Sequence, residues 1–209
     1  PDGVPLFLFV GRLMWYKGLH IILDALRALR EQGQDFRMVF IGAGGDEKEV
    51  RAEVETLRLS DRCFFTGSIA DRETLRAWYS RADLFLFPST FDTNGLVVRE
   101  AAACGLGSVL VRGSCAAEDI RDGESGFLIE ENAESMARML TALSRNPEAM
   151  RRVGKTAQDE IYIVLRGQGK ARLGEETRVL GPGDIMHARA GEVHGMVEGI
   201  SENGIEMFY

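Results

Sequence analysis

The segment LFLFPSTFDTNGLVVREAAACG, residues 84–105, decides the class of fold. It opens with four apolar residues, 84–87, and a continuous apolar run of this length is typical of a strand buried on both faces. Polar residues then end the run, and residues 95–104 have the composition of a helix. The segment is therefore a strand, a polar loop and a helix, and such loops are where α/β proteins bind ligands.

The same alternation of strand and helix continues on both sides of this segment. Strands are predicted at residues 6–13, 37–41, 63–66, 84–87, 108–111 and 127–129. Helices are predicted at residues 17–32, 46–59, 72–81, 95–104, 116–121 and 133–144, and a further helix begins at Pro147. We predict a doubly wound, Rossmann-like α/β domain with a parallel sheet, whose ligand lies at the carboxyl ends of the strands.

The pattern changes after Ala157. Short strands are predicted at residues 160–165, 169–173, 177–180 and 184–188, and glycines separate them. No helical period appears in this part of the sequence. We therefore predict two domains, a Rossmann-like domain at 1–156 and a partial antiparallel β segment at 157–209.

Composition and charge exclude two classes of partner. The net charge of −7 and the pI of about 5.1 argue against nucleic-acid binding, which usually needs a basic face. No apolar run approaches the roughly 20 residues that span a bilayer, and no signal peptide opens the chain.

Cys63, Cys104 and Cys115 lie far apart, which predicts buried free thiols. We predict a cytoplasmic protein without a transmembrane segment, and the core strand directly after Pro5 indicates that the chain begins inside a larger protein.

Two cations follow the first predicted strand. Gly11 and Arg12 end that strand, and Lys17 lies at the start of the next helix. Two fixed cations beside a helix N-terminus can bind a phosphate or diphosphate. The alternative is that both are ordinary solvated surface charges.

Two acids, Asp92 and Glu100, flank the start of the helix at 95–104. The unpaired backbone N–H groups at residues 93–97 can hold an anion. Taken alone, Asp92 could be the N-cap of the helix, and Glu100 could be a surface glutamate. Val97, Val98 and residues 101–103 around Glu100 are apolar and look buried, however, and an acid in such a setting usually has a partner.

Together these segments resemble the C-terminal half of the retaining GT-B glycosyltransferases, the large group 1 or family 4 class, over about residues 6–156. The resemblance rests on motifs in the family's order: Val10-Gly11-Arg12 with Lys17-Gly18; Ile41-Gly42-Ala43-Gly44; Phe65-Thr66-Gly67; Phe87-Pro88-Ser89; Asn94-Gly95-Leu96-Val97 with Glu100-Ala101; and Asp122-Gly123 with Gly126-Phe127-Leu128. Any one of these motifs is weak evidence, but the ordered set is strong.

The resemblance implies roles for particular residues. Arg12 and Lys17 would bind the donor diphosphate and act in catalysis. Asp92 would contact the transferred sugar as the third catalytic residue, and Glu100 would hold the ribose hydroxyls. The donor-binding residues implied are Gly11, Arg12, Lys17, Phe65, Thr66, Asn94, Gly95, Leu96, Val97 and Glu100.

The resemblance also implies the chemistry of the donor. It would be a nucleoside diphosphate sugar of the UDP or GDP type, used without a metal or other cofactor. Asp92 is one methylene shorter than the family's usual glutamate, and Gly107 stands where many relatives have proline. The acceptor domain that precedes this half in the family is missing, so we expect a nucleotide sugar to bind but not to be transferred by this chain alone.

The tail resembles the cupin family over about residues 159–209. The match rests on the segment from Glu160 to Gly167 and on Gly183-Asp184 followed by Gly191-Glu192-Val193-His194. Cupins bind a metal through a His-x-His pair, a glutamate and a further histidine. Glu160 and His194 match the last two, but the pair is missing, and we interpret His187 as a strand side chain. No metal is therefore expected.

The first strands of the cupin barrel are missing as well. An open sheet must cover its apolar face and its edges, so we predict a homodimer formed through the tail. Two interpretations of the whole chain stay open. It is either the donor-binding part of a glycosyltransferase or a non-catalytic chimera, natural or engineered, joined near residues 158–163.

Overall fold

Two units make up the chain, Pro1–Ala157 and Gln158–Tyr209. The computed structural model describes residues 3–92, 95–157, 160–188, 194–200 and 205–208.

The first unit contains a parallel sheet that is six-stranded over its described residues. Its strands are β1 Leu6–Val10, β2 Arg37–Ile41, β3 Cys63–Gly67, β4 Leu84–Phe87, β5 Ser108–Val111 and β6 Phe127–Ile129. The order is β3-β2-β1-β4-β5-β6, so the direction of winding reverses between β1 and β4. Leu8 of β1 lies between Val39 of β2 and Phe85 of β4. The predicted fold class is confirmed, and the crevice between β1 and β4 is where such sheets bind ligands.

Helices cover both faces of this sheet, as the sequence predicted. They are α1 Leu19–Glu31, α2 Glu47–Thr56, α3 Arg72–Arg81, α4 Leu96–Ala103, α5 Ala133–Ser144 and α6 Pro147–Thr156. Side-chain caps fix several starts: Asp71 accepts a hydrogen bond from Thr74 N at 2.8 Å, and Asn132 accepts one from Ser135 N at 2.8 Å. Among the described residues, no helix is long and apolar enough to cross a membrane.

Two short stretches differ from the predicted helices. Residues 116–121 were predicted as a helix, but only a 3-10 turn forms, at Cys115–Ala117. Asp119 has a left-handed φ of 66°, which stops the turn from continuing as a helix. The second 3-10 turn, Trp15–Lys17, is separated from α1 by Gly18, whose φ is 74°. Lys17 therefore precedes α1 instead of beginning it.

The core of the first unit is rich in aromatic side chains. The five residues of β1 are all buried. The rings of Phe9 and Phe87 are stacked with centroids 6.1 Å apart, and Phe85 stacks on Phe87 at 5.7 Å. Fully burying one such ring contributes about 1.5–3 kcal/mol, so these contacts fix β1 against β4 at the point where the site forms.

The three cysteines are free, but their burial differs. Cys63 is buried in β3, and this burial raises the pKa of its thiol to about 12. Cys104 is half-buried, and Cys115 is exposed on the 3-10 turn after β5. The prediction of buried thiols is correct for Cys63 and wrong for Cys115, because the turn that carries Cys115 lies at the surface.

The second unit consists of antiparallel strands. They are β7 Glu160–Gly167, β8 Gly169–Leu173, β9 Glu176–Leu180, β10 Ile185–Ala188, β11 His194–Gly199 and β12 Ile205–Phe208. Over the described ranges they form two three-stranded sheets, ordered β10-β7-β12 and β11-β8-β9. The predicted antiparallel segment is confirmed, with β11 and β12 added to the strands that the sequence indicated.

Candidate functional site

The loops that follow β1 and β4 meet through backbone contacts. A Cβ atom placed on Gly18 would lie 2.5 Å from the carbonyl oxygen of Pro88, so only glycine fits there. On the other side, the Gly11 N–H donates to the Ile41 carbonyl at 3.0 Å, and a Cβ on Gly42 would lie 2.0 Å from the Gly11 oxygen. The glycines thus allow the neighbouring loops after β4, β1 and β2 to lie in close contact at one edge of the sheet.

Lys17 and Asp92 form an ion pair across the crevice between β1 and β4. The Lys17 ammonium contacts Asp92 Oδ1, and the two side chains are only 10% and 22% exposed. The ammonium also lies 5.8 Å from the ring centroid of Phe87. Lys17 is therefore not the solvated surface charge that one interpretation of the sequence allowed.

The N-cap of α4 is Gly95, with φ 50° and ψ 36°, and not Asp92. The interpretation of Asp92 as a simple N-cap is therefore wrong, because its carboxylate turns to Lys17 instead. Leu96, at the first position of α4, is 66% exposed, and Val97 is half-buried. Asn94, also predicted to bind the donor, lies outside the described residues.

Two polar atoms after β4 are buried without a hydrogen-bond partner among the described residues. They are the hydroxyl oxygen of Ser89 and Oδ2 of Asp92. Buried polar atoms normally have a partner, so each one here needs an explanation such as a water or a ligand. Asp92 can therefore hold Lys17 with one oxygen and accept a hydrogen bond from a ligand with the other.

Arg12 is exposed beside the same crevice. Its guanidinium carbon lies 5.9 Å from the ring centroid of Tyr16. The Lys17 ammonium lies 5.4 Å from the same centroid. Tyr16 in turn meets the exposed ring of Phe91 edge to face, with centroids 6.0 Å apart. The structure thus brings the two cations predicted from the sequence to within 6 Å of the centroid of one aromatic ring.

Glu100 lies on α4 and has a partner from α3. The hydroxyl of Tyr79 donates to Glu100 Oε2 at 3.0 Å, and Tyr79 is 2% exposed. Burial, followed by the nearby Glu100 charge, raises the pKa of Tyr79 above its ordinary value. The expectation that this acid has a partner is confirmed. Tyr79 was not predicted from the sequence, although a buried tyrosine usually finds a hydrogen-bond partner for its hydroxyl.

Phe65 and Thr66 lie apart from this cluster. The Phe65 ring stacks on Phe40 at 4.9 Å, and the Arg51 guanidinium lies 4.3 Å from its centroid. Thr66 is exposed at the end of β3. Since β3 is two strands away from β1, about 10 Å separates these two strand ends. The structure does not bring Phe65 and Thr66 into contact with Lys17.

The metal positions of the cupin resemblance cannot be compared side chain by side chain. The side chains of Glu160, His187 and His194 lie outside the described residues. Elsewhere in the described part of the chain, no group of three or more His, Cys, Asp or Glu residues is arranged to hold a metal ion.

Comparison of the sequence with known protein families identifies the class of protein to which this fold and site belong. The family model of glycosyl transferases group 1 matches residues 1–160, and a cupin domain model matches residues 154–203. The chain belongs to the group 1 glycosyltransferase family, and its tail is cupin-like.

Individual relatives agree with this assignment. The putative colanic acid biosynthesis glycosyltransferase WcaL of Salmonella typhimurium is 35% identical over 68% of this chain and 37% of its own length. A GDP-mannose-dependent phosphatidylinositol dimannoside mannosyltransferase of Mycobacterium tuberculosis is 32% identical over 77% of this chain and 41% of its own. The chain therefore spans about two fifths of the length of these curated relatives.

Solved structures are also similar to this chain. Anabaena HepE in complex with UDP and glucose is 26% identical, with a TM-score of 0.65 over 75% of this chain and 43% of its own. The C-terminal domain of the group 1 protein LpcC of Francisella tularensis has a TM-score of 0.64 over 73% of this chain and 83% of that domain, at 24% identity. The second likeness, at less than 25% identity, supports the fold alone.

Proposed function

We propose that the first unit binds a nucleoside diphosphate sugar, the donor of a retaining glycosyl transfer, at the carboxyl ends of β1 and β4. The observation that carries the proposal is the Lys17–Asp92 pair at the reversal of strand order, with Asp92 Oδ2 buried and unpartnered among the described residues. Ligands of doubly wound sheets bind at this position. A buried cation with an acceptor beside it suits a phosphate joined to a hydroxyl-bearing group.

The chemistry of transfer agrees with these charges. Breaking the sugar–phosphate bond leaves negative charge on the diphosphate, and Arg12 and Lys17 would stabilise it. Asp92 Oδ2 would accept a hydrogen bond from a hydroxyl of the transferred sugar. Glu100 would bind the ribose hydroxyls, and Phe65 and Thr66 would lie near the base. We assign no protein nucleophile and propose that binding needs no metal.

Two relatives support the class of donor. HepE is solved with UDP and glucose, and the mycobacterial relative is GDP-mannose-dependent. On this support we propose that the donor of this chain is of the UDP or GDP type.

Replacing Arg12 with alanine is expected to weaken nucleoside diphosphate binding about tenfold, because a charge-assisted contact is lost. Calorimetry with UDP and with GDP, in the presence of EDTA, measures this. Arg138→Ala is the matched control, since Arg138 is an exposed arginine on α5 whose partner is Glu134, and it should leave affinity unchanged. Equal affinities for the wild type and Arg12→Ala would remove Arg12 from the site. Absence of binding by either nucleotide would overturn the proposed function.

The 209 residues by themselves are expected to bind the donor without transferring sugar. Transfer requires an acceptor held against the donor, and we propose that a further domain supplies this. An assay with a UDP- or GDP-sugar and candidate acceptors should show no acceptor-dependent product. Product formed by this chain alone would refute the prediction.

A second interpretation is a non-catalytic chimera, and the overlap of the two family matches at residues 154–160 favours it by marking a junction. Adding the acceptor domain of a full-length relative to the assay separates the alternatives. Restored transfer supports the enzyme fragment, whereas a bound donor without transfer supports the chimera.

We also propose that the tail forms a homodimer. Apolar side chains on its strands are exposed, among them Val179 at 55% on β9 and Ile185 at 64% on β10, and both strands are edges of their described sheets. Such edges pair readily with a second chain. Light scattering at micromolar concentration should give a dimer, and Val179→Lys should give a monomer. Glu176→Lys, a charge change at an exposed position of the same strand, is the control. A wild-type monomer with a protease-resistant tail would exclude the dimer.

A further inference from the structure

We propose that Tyr79 is a positioning residue that fixes the carboxylate of Glu100 for recognition of the donor ribose. This inference rests on the proposed function and adds to it a residue on α3, outside the loops after β1 and β4. The hydrogen bond that carries it runs from the Tyr79 hydroxyl to Glu100 Oε2, across 21 positions of sequence, at 3.0 Å.

Tyr79 is held rigidly enough to act in this way. Its side chain is 2% exposed, and its ring meets Phe85 of β4 edge to face with centroids 5.8 Å apart. The hydroxyl is therefore anchored to the strand that leads into the Asp92 loop. Because burial raises the pKa of Tyr79, the hydroxyl keeps its proton and remains a donor at neutral pH.

Glu100 has the complementary properties. It is exposed on α4, where an unrestrained glutamate would sample several rotamers, and ordering it on binding would weaken affinity for the ligand. A hydrogen bond from the buried Tyr79 hydroxyl restricts that freedom before the ligand binds. The bond occupies Oε2 and leaves Oε1 with two lone pairs, which suits the adjacent hydroxyls of a ribose.

A purely structural role for Tyr79 makes a different prediction. If the bond only satisfied a buried hydroxyl, its removal would change the stability of the fold but not the choice between ribose and deoxyribose. Discrimination between the two sugars therefore distinguishes the roles.

The experiment measures affinities of the full chain for UDP and GDP and for their 2′-deoxy forms by calorimetry. The wild type should prefer the ribose form about tenfold, the value of one charge-assisted hydrogen bond. Tyr79→Phe keeps the ring and removes only the hydroxyl, and it should reduce this preference to about threefold or less while changing affinity for the deoxy form less than about twofold. Glu100→Gln approaches the same contact from the other side and should also reduce the preference.

The outcomes separate the two proposals. If neither UDP nor GDP binds, the proposed function fails. If the ribose form is preferred in the wild type and equally in Tyr79→Phe, the proposed function stands and the positioning role of Tyr79 is wrong. A wild type with no ribose preference also overturns the inference. Tryptophan fluorescence checks folding of each variant, because both tryptophans, Trp15 and Trp78, lie in the first unit.

Discussion

Replacing Lys17 with methionine is expected to reduce nucleoside diphosphate affinity by about a hundredfold, a larger loss than for Arg12→Ala. Losing a charge-assisted contact accounts for about 1.5–3 kcal/mol. In addition, the diphosphate would meet the Asp92 carboxylate without its counter-ion, and like charges at a partly buried site repel strongly. Arg12 is exposed and pairs with no acid in the described part of the chain, so its loss should reduce nucleotide affinity less than the loss of Lys17.

The same change should destabilise the first unit. Removing one partner of a buried ion pair costs about 3–5 kcal/mol, but Asp92 is 22% exposed, so about 1–3 kcal/mol is expected. Methionine is chosen because it keeps most of the aliphatic volume of Lys17, whose side chain is 10% exposed. Urea unfolding followed by tryptophan fluorescence reports on this unit alone, since both tryptophans lie in it.

The double variant Lys17→Met with Asp92→Asn separates the two effects. It removes both charges, so stability should largely recover while donor affinity stays low. Recovery of binding together with stability would mean that Lys17 acts only by neutralising Asp92. Wild-type affinity in Lys17→Met would contradict the assignment of the diphosphate site.

The sequence predicted the sheet well because its strands are short apolar runs with clear stops. The bounds of β2, β4, β5 and β6 match the predicted ranges, and the polar loop after β4 was found from composition alone. The prediction was weaker where backbone geometry decides the outcome. The helix predicted at residues 116–121 failed at the left-handed Asp119, a conformation that composition does not reveal.

The main limit in predicting the site from the sequence was that its side-chain pairs join segments that lie far apart in the chain. Lys17 and Asp92 are 75 positions apart, and Tyr79 and Glu100 are 21 apart, so no local pattern links the partners. The resemblance to a family suggested roles for three of these four residues, but not which side chains contact one another. Tyr79 was missed because its hydroxyl acts at the tip of a side chain that otherwise belongs to the core.

Replacing Gly18 with alanine should destabilise the first unit by about 2–5 kcal/mol and weaken donor binding at least about tenfold. Gly18 has φ 74° and ψ 22°, and a residue with a Cβ pays about 1–2 kcal/mol in this region. The new methyl would also lie 2.5 Å from the Pro88 carbonyl oxygen and 3.0 Å from its carbon, which are backbone atoms. Forcing the two loops apart typically costs a further 1–3 kcal/mol or so.

The effect on binding follows from what these loops carry. Gly18 directly follows Lys17, and Pro88 lies four positions before Asp92, so separating them pulls the ammonium away from the carboxylate. Gly45→Ala is the matched control, because its Cβ would meet only the flexible side chain of Met14, at 3.5 Å, and its φ lies outside the left-handed region. That variant should change stability by less than about 0.5 kcal/mol and leave affinity unchanged. If Gly18→Ala unfolds at the same urea concentration as Gly45→Ala and binds the donor equally well, the close contact between the loops does not position the site.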